Sequence, residues 1–451
     1  MPTSRLTILL GCLGLATCGG STPPAPANPL NVLLISLDTQ RADRLGFYGY
    51  SRPTSPSLDA FAAGAVVFEE AEAMAPWTLP SMASIMTGEV TSTHGCWNYG
   101  SVLDDSFPTL AELLLAAGYD TACVVSHLFT TSRHGLQQGF VHTDDTYAYP
   151  EIDPAQNVTS QVITDKGLRF LEHKQAAGRD EPWLLWLHYF DPHREYMPHA
   201  GVTEQFVTPG EPADAVKLGD VYDGEVRYTD DHVGRLLAGL EAFGLADDTL
   251  VVVVADHGEE FHDHGGLGHG HSLHREVMRV PLVFRAPGLA PRRVRELARQ
   301  VDVLPTVLEL LGLPARPGIP GRSLAPALRG EPLAAPAGFG ALAEHDNHDP
   351  TTRLDGWRTE RYRLIRAGDD GPVRLYDLAQ DPGELRDVAA EHPDVVARLL
   401  AEMEAAKEAG RRRAELFGLA RQTTLTPGVQ EMLDGLGYSG DDEDEHVEDA
   451  E

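Results

Sequence analysis

Leu250-Val251-Val252-Val253-Val254-Ala255-Asp256-His257-Gly258-Glu259 is the stretch on which the architecture of this chain turns. An apolar, β-branched run without a polar break suits a strand covered on both faces, as in a parallel sheet. The polar residues that follow it leave from the strand's carboxyl end, where open α/β sheets place their sites. Asn31–Leu37 repeats the pattern and runs into Asp38, and Trp183–His188 forms a third such run. Helical candidates at Leu110–Ala117 and Val301–Leu311 alternate with these strands. The alternation predicts an α/β fold, a large mostly parallel sheet between helices, over residues 31–345. Pro- and Gly-rich connections follow at Pro314–Gly321 and Gly330–Gly340. Beyond them, strands at Trp357–Ile365 and Arg374–Leu378 and a helix at Pro393–Ala409 predict a small C-terminal α+β subdomain over 346–437.

The 451 residues carry 36 Lys and Arg against 68 Asp and Glu, a net charge of −32. That balance argues against nucleic-acid binding, which needs clustered positive charge along the phosphate backbone. Part of the acidity sits in residues 438–451, where Asp441, Asp442, Glu443, Asp444 and Glu445 read as a solvated tail. At the other end, Leu6–Thr17 follows Arg5 as an apolar stretch too short to span a bilayer, so residues 1–18 read as an export signal. Leu15-Ala16-Thr17-Cys18 resembles a bacterial lipobox, and residues 19–30 form a Gly-, Ser- and Pro-rich tether. A lipid on Cys18 would make this an exported cell-envelope lipoprotein held to the membrane by that anchor alone; a plain cleaved signal would remove Cys18. With Cys12 and Cys18 accounted for, Cys96 and Cys123 are left as either a disulfide or two buried thiols.

Three places along the chain carry chemistry. Asp38 at the end of the first strand is either a metal ligand or a helix cap. Thr78, in Trp77-Thr78-Leu79-Pro80-Ser81, enters a helix whose positive end suits an anion held beside the hydroxyl. Asp256 and His257 offer adjacent oxygen and nitrogen donors, a pairing suited to borderline divalent cations. His262, His264, His269 and His271 follow within a short span, some of them as loop residues.

These fragments together make the chain resemble the sulfatase family of the alkaline phosphatase superfamily. The resemblance runs through Leu33-Leu34-Ile35-Ser36-Leu37-Asp38-Thr39, Pro53-Thr54-Ser55-Pro56, Thr78-Leu79-Pro80-Ser81, Asp191-Pro192-His193, Asp256-His257-Gly258-Glu259, Arg279-Val280-Pro281-Leu282 and Leu375-Tyr376-Asp377-Leu378. It implies an alkaline-phosphatase-like sandwich in which Asp38, Asp256 and His257 hold one divalent cation, with Thr78 both a ligand and the nucleophile. By the same resemblance, Asn98 would hold a substrate oxygen, or else serve as a turn residue before Gly100. His193 and His269 would assist the leaving group. His188, Asp191, His264 and His271 are candidates for substrate contact or a second metal, with Asp191 equally suited to capping a turn.

The chain departs from that family at the nucleophile. Sulfatases place Cys or Ser at the position of Thr78 and oxidise it to formylglycine, whereas a Thr would give a ketone. Thr39 also replaces the second Asp of the family's first motif, which favours zinc or manganese and leaves calcium as the alternative. The expectation is a hydrolase of phosphate esters, whether diester, monoester or phosphonate, through a covalent phospho-Thr intermediate. Sulfuric ester hydrolysis, phosphoryl transfer to an acceptor, and a non-catalytic lipoprotein that binds anionic glycans are the alternatives. Oligomeric state has no signature in the sequence.

Overall fold

The computed structural model describes residues 29–148, 159–178, 181–207, 217–334, 338–345, 353–424 and 426–429. The export signal, Cys18, most of the tether and the acidic tail lie outside the described residues. Three runs read as buried strands form the middle of a nine-stranded sheet. Asn31–Leu37 is flanked by Thr249–Ala255 and Trp183–Tyr189, both parallel to it, and all three are buried throughout. Asp120–Val125 and His142–Asp144 continue the parallel order on one side. On the other, Arg279–Arg285 runs antiparallel to both Thr249–Ala255 and Val66–Glu72, beyond which lies Arg292–Val294, with Ala298–Arg299 on the same strand.

Double-sided burial follows from helices against the sheet. Ser160–Ala177 packs along Leu218–Ala242, and Gly167 brings the first of these helices so close to Leu187 that a Cβ there would lie 2.7 Å from its methyl carbon. Leu110–Ala116 starts with a capping box: Thr109 Oγ1 accepts from the Glu112 N–H while Glu112 takes the Thr109 N–H. The expected helix at Val301–Leu311 is a 3₁₀ turn, Gln300–Asp302, continuing as Val303–Leu310. Among the described residues no helix is long and apolar enough to cross a membrane.

The C-terminal part differs from expectation in two respects. Trp357–Ile365 is two strands, Leu354–Arg358 and Tyr362–Ala367, because Thr359 and Tyr362 bond each other across a tight turn, N–H to carbonyl at 2.9 Å. Ala341–His345 pairs with the first of them, so the boundary drawn between 345 and 346 falls inside a four-stranded antiparallel sheet and belongs before residue 341. The helix beside this sheet extends to Ala414 and buries Leu399 and Met403 against Trp357, Leu364 and Leu375.

A buried ionic joint fastens the two sheets. Arg363, on the small sheet, lies between Glu72, at the end of a main-sheet strand, and Glu384, 2.7 Å from its Nε; all three side chains are at most 3% exposed. Burial raises the Glu72 carboxyl, and the arginines Arg363 and Arg358 work against that shift. Removing the cation would leave buried Glu72 to Arg358 alone and buried Glu384 to His274 and a backbone N–H. Arg363→Met is therefore expected to destabilise the fold by about 3–5 kcal/mol, read as a lower midpoint in chemical denaturation. A change within experimental error would show that the joint carries no stability.

Candidate active site

Four neighbouring parallel strands end at one edge, and their register decides what meets there. Leu37 is level with both Ala255 and Tyr189, and Val125 is level with His188. Asp38, Asp256, His257, His188 and His127 therefore emerge side by side, each 2% exposed or less. Thr78 reaches the same place as the first residue of the helix Thr78–Thr87, itself buried over its whole length.

His257 is the hub. Its Nδ1 is 2.9 Å from its neighbour Gly258's carbonyl, which fixes the proton on Nδ1 and makes Nε2 the donor nitrogen. Around Nε2 stand Thr78 Oγ1 at 3.3 Å, Asp256 Oδ2 at 3.5 Å and Asp38 Oδ1 at 3.8 Å. Neither Asp38 Oδ1 nor Asp256 Oδ2 has a hydrogen-bond partner, although both are buried. The other oxygen of Asp256 is held rigidly, accepting from the N–H groups of Thr39 at 3.2 Å and His257 at 2.8 Å. Thr39 achieves this at φ 49°, a left-handed conformation costly for a β-branched residue. Tyr222 and the Pro192 carbonyl pin it there, through bonds to its carbonyl at 2.7 Å and from its hydroxyl at 3.0 Å.

Two buried carboxylate oxygens, an imidazole nitrogen and a hydroxyl converge here; the 3.3 and 3.5 Å separations from that nitrogen lie near the edge of a tetrahedron about a cation with bonds of about 2.0–2.1 Å, and the Asp38 oxygen stands further out at 3.8 Å. The donor set fits a divalent cation. Burial, with the nearby charges of Asp256 and Glu259, pushes the Asp38 carboxyl well above the usual carboxylate range, and burial raises Asp256. A cation reverses both effects.

A second wall faces this group. His269 Nδ1 donates to Glu259 Oε1 at 2.7 Å, and the other oxygen of Glu259 accepts from the Tyr196 hydroxyl at 2.9 Å. The His193 ring stacks on Phe190, with centroids 4.6 Å apart, and meets the His269 ring edge-on at 4.9 Å. Burial, then His269, lowers His193 to about 3; burial and His257 hold His269 well below the usual imidazole range. Both rings are neutral at physiological pH.

Several expected residues stand elsewhere. Asn98 turns its amide oxygen onto the Gly100 N–H at 3.0 Å, closing its own turn. Asp191 spends its carboxylate on the Thr159 and Ser160 N–H groups at the start of the helix 160–177, which makes it a cap rather than a ligand or substrate contact. His264 is saturated by Glu276 Oε1 at 2.6 Å and the Glu384 carbonyl at 3.0 Å, and is raised to about 9, so it is a charged strut between the two sheets. His271 pairs with Glu260 at 3.1 Å on the rim and likewise stands outside the group around His257. His188 does join that group, with Nε2 3.1 Å from Asp38 Oδ2. His127, absent from the expected set, lies with Nδ1 3.8 Å from the same oxygen. The strand-end rule applied to Val124-Val125-Ser126-His127 would have found it. Cys96 and Cys123 are free, buried thiols, which resolves that choice.

With this geometry in hand, the family described as Sulfatase matches residues 30–313, and the C-terminal family of N-sulphoglucosamine sulphohydrolase matches 266–409. Arylsulfatase K of Gallus gallus is 25% identical over 87% of this chain and 86% of its own length. The N-acetylglucosamine-6-O-sulfatase of Bacteroides thetaiotaomicron is 22% identical over 85% of this chain and 87% of its own. Among solved structures, the phosphonate monoester hydrolase of Agrobacterium radiobacter superposes with a TM-score of 0.71 at 23% identity, covering 85% of this chain and 96% of that one, a likeness of fold.

The raised carboxylates give a signed prediction. Because Asp38 and Asp256 hold protons more tightly folded than unfolded, the ion-free chain loses stability as pH rises from about 4 through their folded values. Cation binding needs those groups ionised, so it strengthens over the same range. Zinc or manganese at about a hundredfold its dissociation constant is expected to add about 2.7 kcal/mol. Melting curves with and without chelator should show a larger rise in Tm near pH 8 than near pH 5.5. An equal or reversed effect would mean that these carboxylates do not bind the cation.

Proposed function

Since the chain belongs to the sulfatase family, whose members are metal-dependent hydrolases of anionic esters, we propose that it hydrolyses phosphate esters with Thr78 Oγ1 as the nucleophile. One observation carries this: a buried hydroxyl on the first turn of a helix, 3.3 Å from the donor nitrogen of His257, on which two unpartnered carboxylate oxygens also converge. Threonine cannot yield the aldehyde that the family's oxidised Cys or Ser supplies, so the oxygen itself must attack. Asp38, Asp256, His257 and Thr78 would hold the cation, zinc or manganese by their mixed oxygen and nitrogen donors. When bound, it supplies a lowered hydroxyl pKa and positive charge beside the ester.

The chain's own groups account for the rest. Thr78 Oγ1 gives its proton to a nearby base and forms a bond to phosphorus as the bond to the leaving oxygen breaks, and that oxygen takes up a proton. Water then attacks the same phosphorus, a proton passes to a nearby base, and the threonine oxygen departs. His193 and His269 are neutral imidazoles, the His269 ring centroid 4.5 Å from that of His257, and would move those protons; an anion beside them raises their basicity. Glu259 fixes the His269 tautomer, with Nδ1 as the donor. The positive end of the helix Thr78–Thr87 faces the transferred group and steadies its charge.

A second reading, direct attack of Thr78 on a sulfate ester, is favoured by the names of the relatives. Aryl phosphodiesters, phosphomonoesters and aryl sulfates separate the two. We expect phosphate ester turnover to exceed sulfate turnover, and Thr78→Ala to lower kcat/KM by about 10³-fold or more. Acid quench should trap one phosphoryl group on Thr78. Faster sulfate turnover that depends on Thr78 would replace the phosphate reading, and undiminished turnover by Thr78→Ala would end both.

The leader and Cys18 support export to a bacterial envelope, with the folded domain tethered by a lipid. Cys18→Ser is expected to move the protein from the membrane fraction to the soluble one; continued membrane association would rule out that anchor.

A further inference from the structure

We infer that Asp38 bridges two cations, the second held by Asp38 Oδ2, His188 and His127. This rests on the proposed function for the first cation, held on Asp38 Oδ1, and extends it. The two oxygens of Asp38 face different groups: Oδ1 looks toward His257 at 3.8 Å, while Oδ2 lies 3.1 Å from His188 Nε2 and 3.8 Å from His127 Nδ1. The three donor atoms of the second group all lie within 4.8 Å of one another, as do those of Asp38, Asp256 and His257. A carboxylate shared in this way suits cations about 3.5–4 Å apart, the spacing of two-metal hydrolytic sites.

The surroundings of His188 support a ligand role. Ser36 Oγ accepts from Trp186 Nε1 at 2.8 Å and stands 2.8 Å from His188 Nδ1. With the proton on Nδ1, Ser36 accepts a second bond and turns its own hydrogen to the Leu187 carbonyl at 3.5 Å. His188 Nε2 then meets Asp38 Oδ2 lone pair to lone pair, an arrangement relieved either by a proton on the carboxyl or by a cation between them. A ligating imidazole fixed through its other nitrogen is the usual outer-shell pattern. His127 is steadied by stacking on Phe190, ring centroids 5.2 Å apart.

Charge balance points the same way. The groups that bond or pair with the Asp38 and Asp256 carboxylates include imidazoles and backbone N–H groups, with no Lys or Arg side chain among the described ion pairs of either. One divalent cation would cancel only the two carboxylates; a second adds charge for an anionic ester beyond what the start of the helix Thr78–Thr87 supplies. One oxygen and two imidazole donors select zinc, manganese or cobalt over calcium, which takes six to eight oxygens.

The test is cation stoichiometry of the purified, folded protein. Native mass spectrometry after zinc loading is expected to show two zinc ions per chain, falling to one in His188→Gln and in His127→Gln. Asp256→Asn should also lose one, from the other position, and Asp38→Asn both. As a check that needs no variant, manganese-loaded wild-type protein should give the EPR signal of an exchange-coupled pair. A single zinc ion in the wild type, or an isolated-manganese spectrum, would show His188 to be a hydrogen-bonded support of Asp38 and overturn the second site. The two readings fail separately. One cation with Thr78-dependent turnover keeps the proposed function and removes the bridge; two cations with turnover undiminished in Thr78→Ala keeps the bridge and removes the nucleophile.

Discussion

Burying two carboxylates next to each other without a Lys or Arg partner is among the most expensive arrangements a protein core can contain, since each ion loses its hydration and repels the other. Asp38 and Asp256 are in that position, on adjacent strands at the same level, both fully buried and both pushed upward in pKa. Much of the surrounding structure serves to hold them there. The Thr39 backbone is bent into a left-handed conformation so that its N–H meets Asp256, and Tyr222 and Pro192 hold that bend in place. Strain kept at one point by several independent contacts is characteristic of a functional site.

The sheet makes such an arrangement affordable. Parallel strands buried on both faces leave their carboxyl ends as the place where polar groups can converge without disturbing the hydrogen-bond ladder. Neighbouring strands deliver Asp256 and His257, Asp38, His188 and His127 in spatial order, although in the chain they are far apart. Gly258 completes the junction: a Cβ there would lie 2.0 Å from the Glu276 carbonyl oxygen, so its absence lets the segment after the strand turn closely against residues 275–278. The same turn carries Glu259 to its position behind His269.

The histidines divide into two populations that residue type alone does not separate. His193 and His269 are buried among other rings and kept neutral, which suits proton transfer. His264 and His271 face carboxylates, as His269 does, but are more exposed, and both are raised in pKa. His264 also reaches the Glu384 carbonyl, and through it the small sheet joins the loop that carries His269. That sheet is fastened as well by Arg363 between Glu72 and Glu384, so the C-terminal part supports the site's outer loop without contributing a donor to the group around His257.

Periodicity and strand-end logic read from the sequence were enough for the parallel sheet and for Asp38, Asp256 and His257 as residues leaving strand ends, because each signal is local: an apolar run followed at once by its polar residue; that these three meet Thr78 was only what the family resemblance implied. The hairpin within 354–367 was not legible, since Thr359-Glu360-Arg361 carries no Gly or Pro to mark the turn. The fates of Asn98, Asp191 and His264 depended on which backbone or carboxylate groups the fold brought beside them, and a sequence holds no record of such partners. His127 joined the site only through the lateral register of Asp120–Val125 against Trp183–Tyr189. Local composition thus determined which side chains leave the strand ends, whereas tertiary register alone decided which of them meet, because the distance between donor atoms is set by strand pairing across the chain.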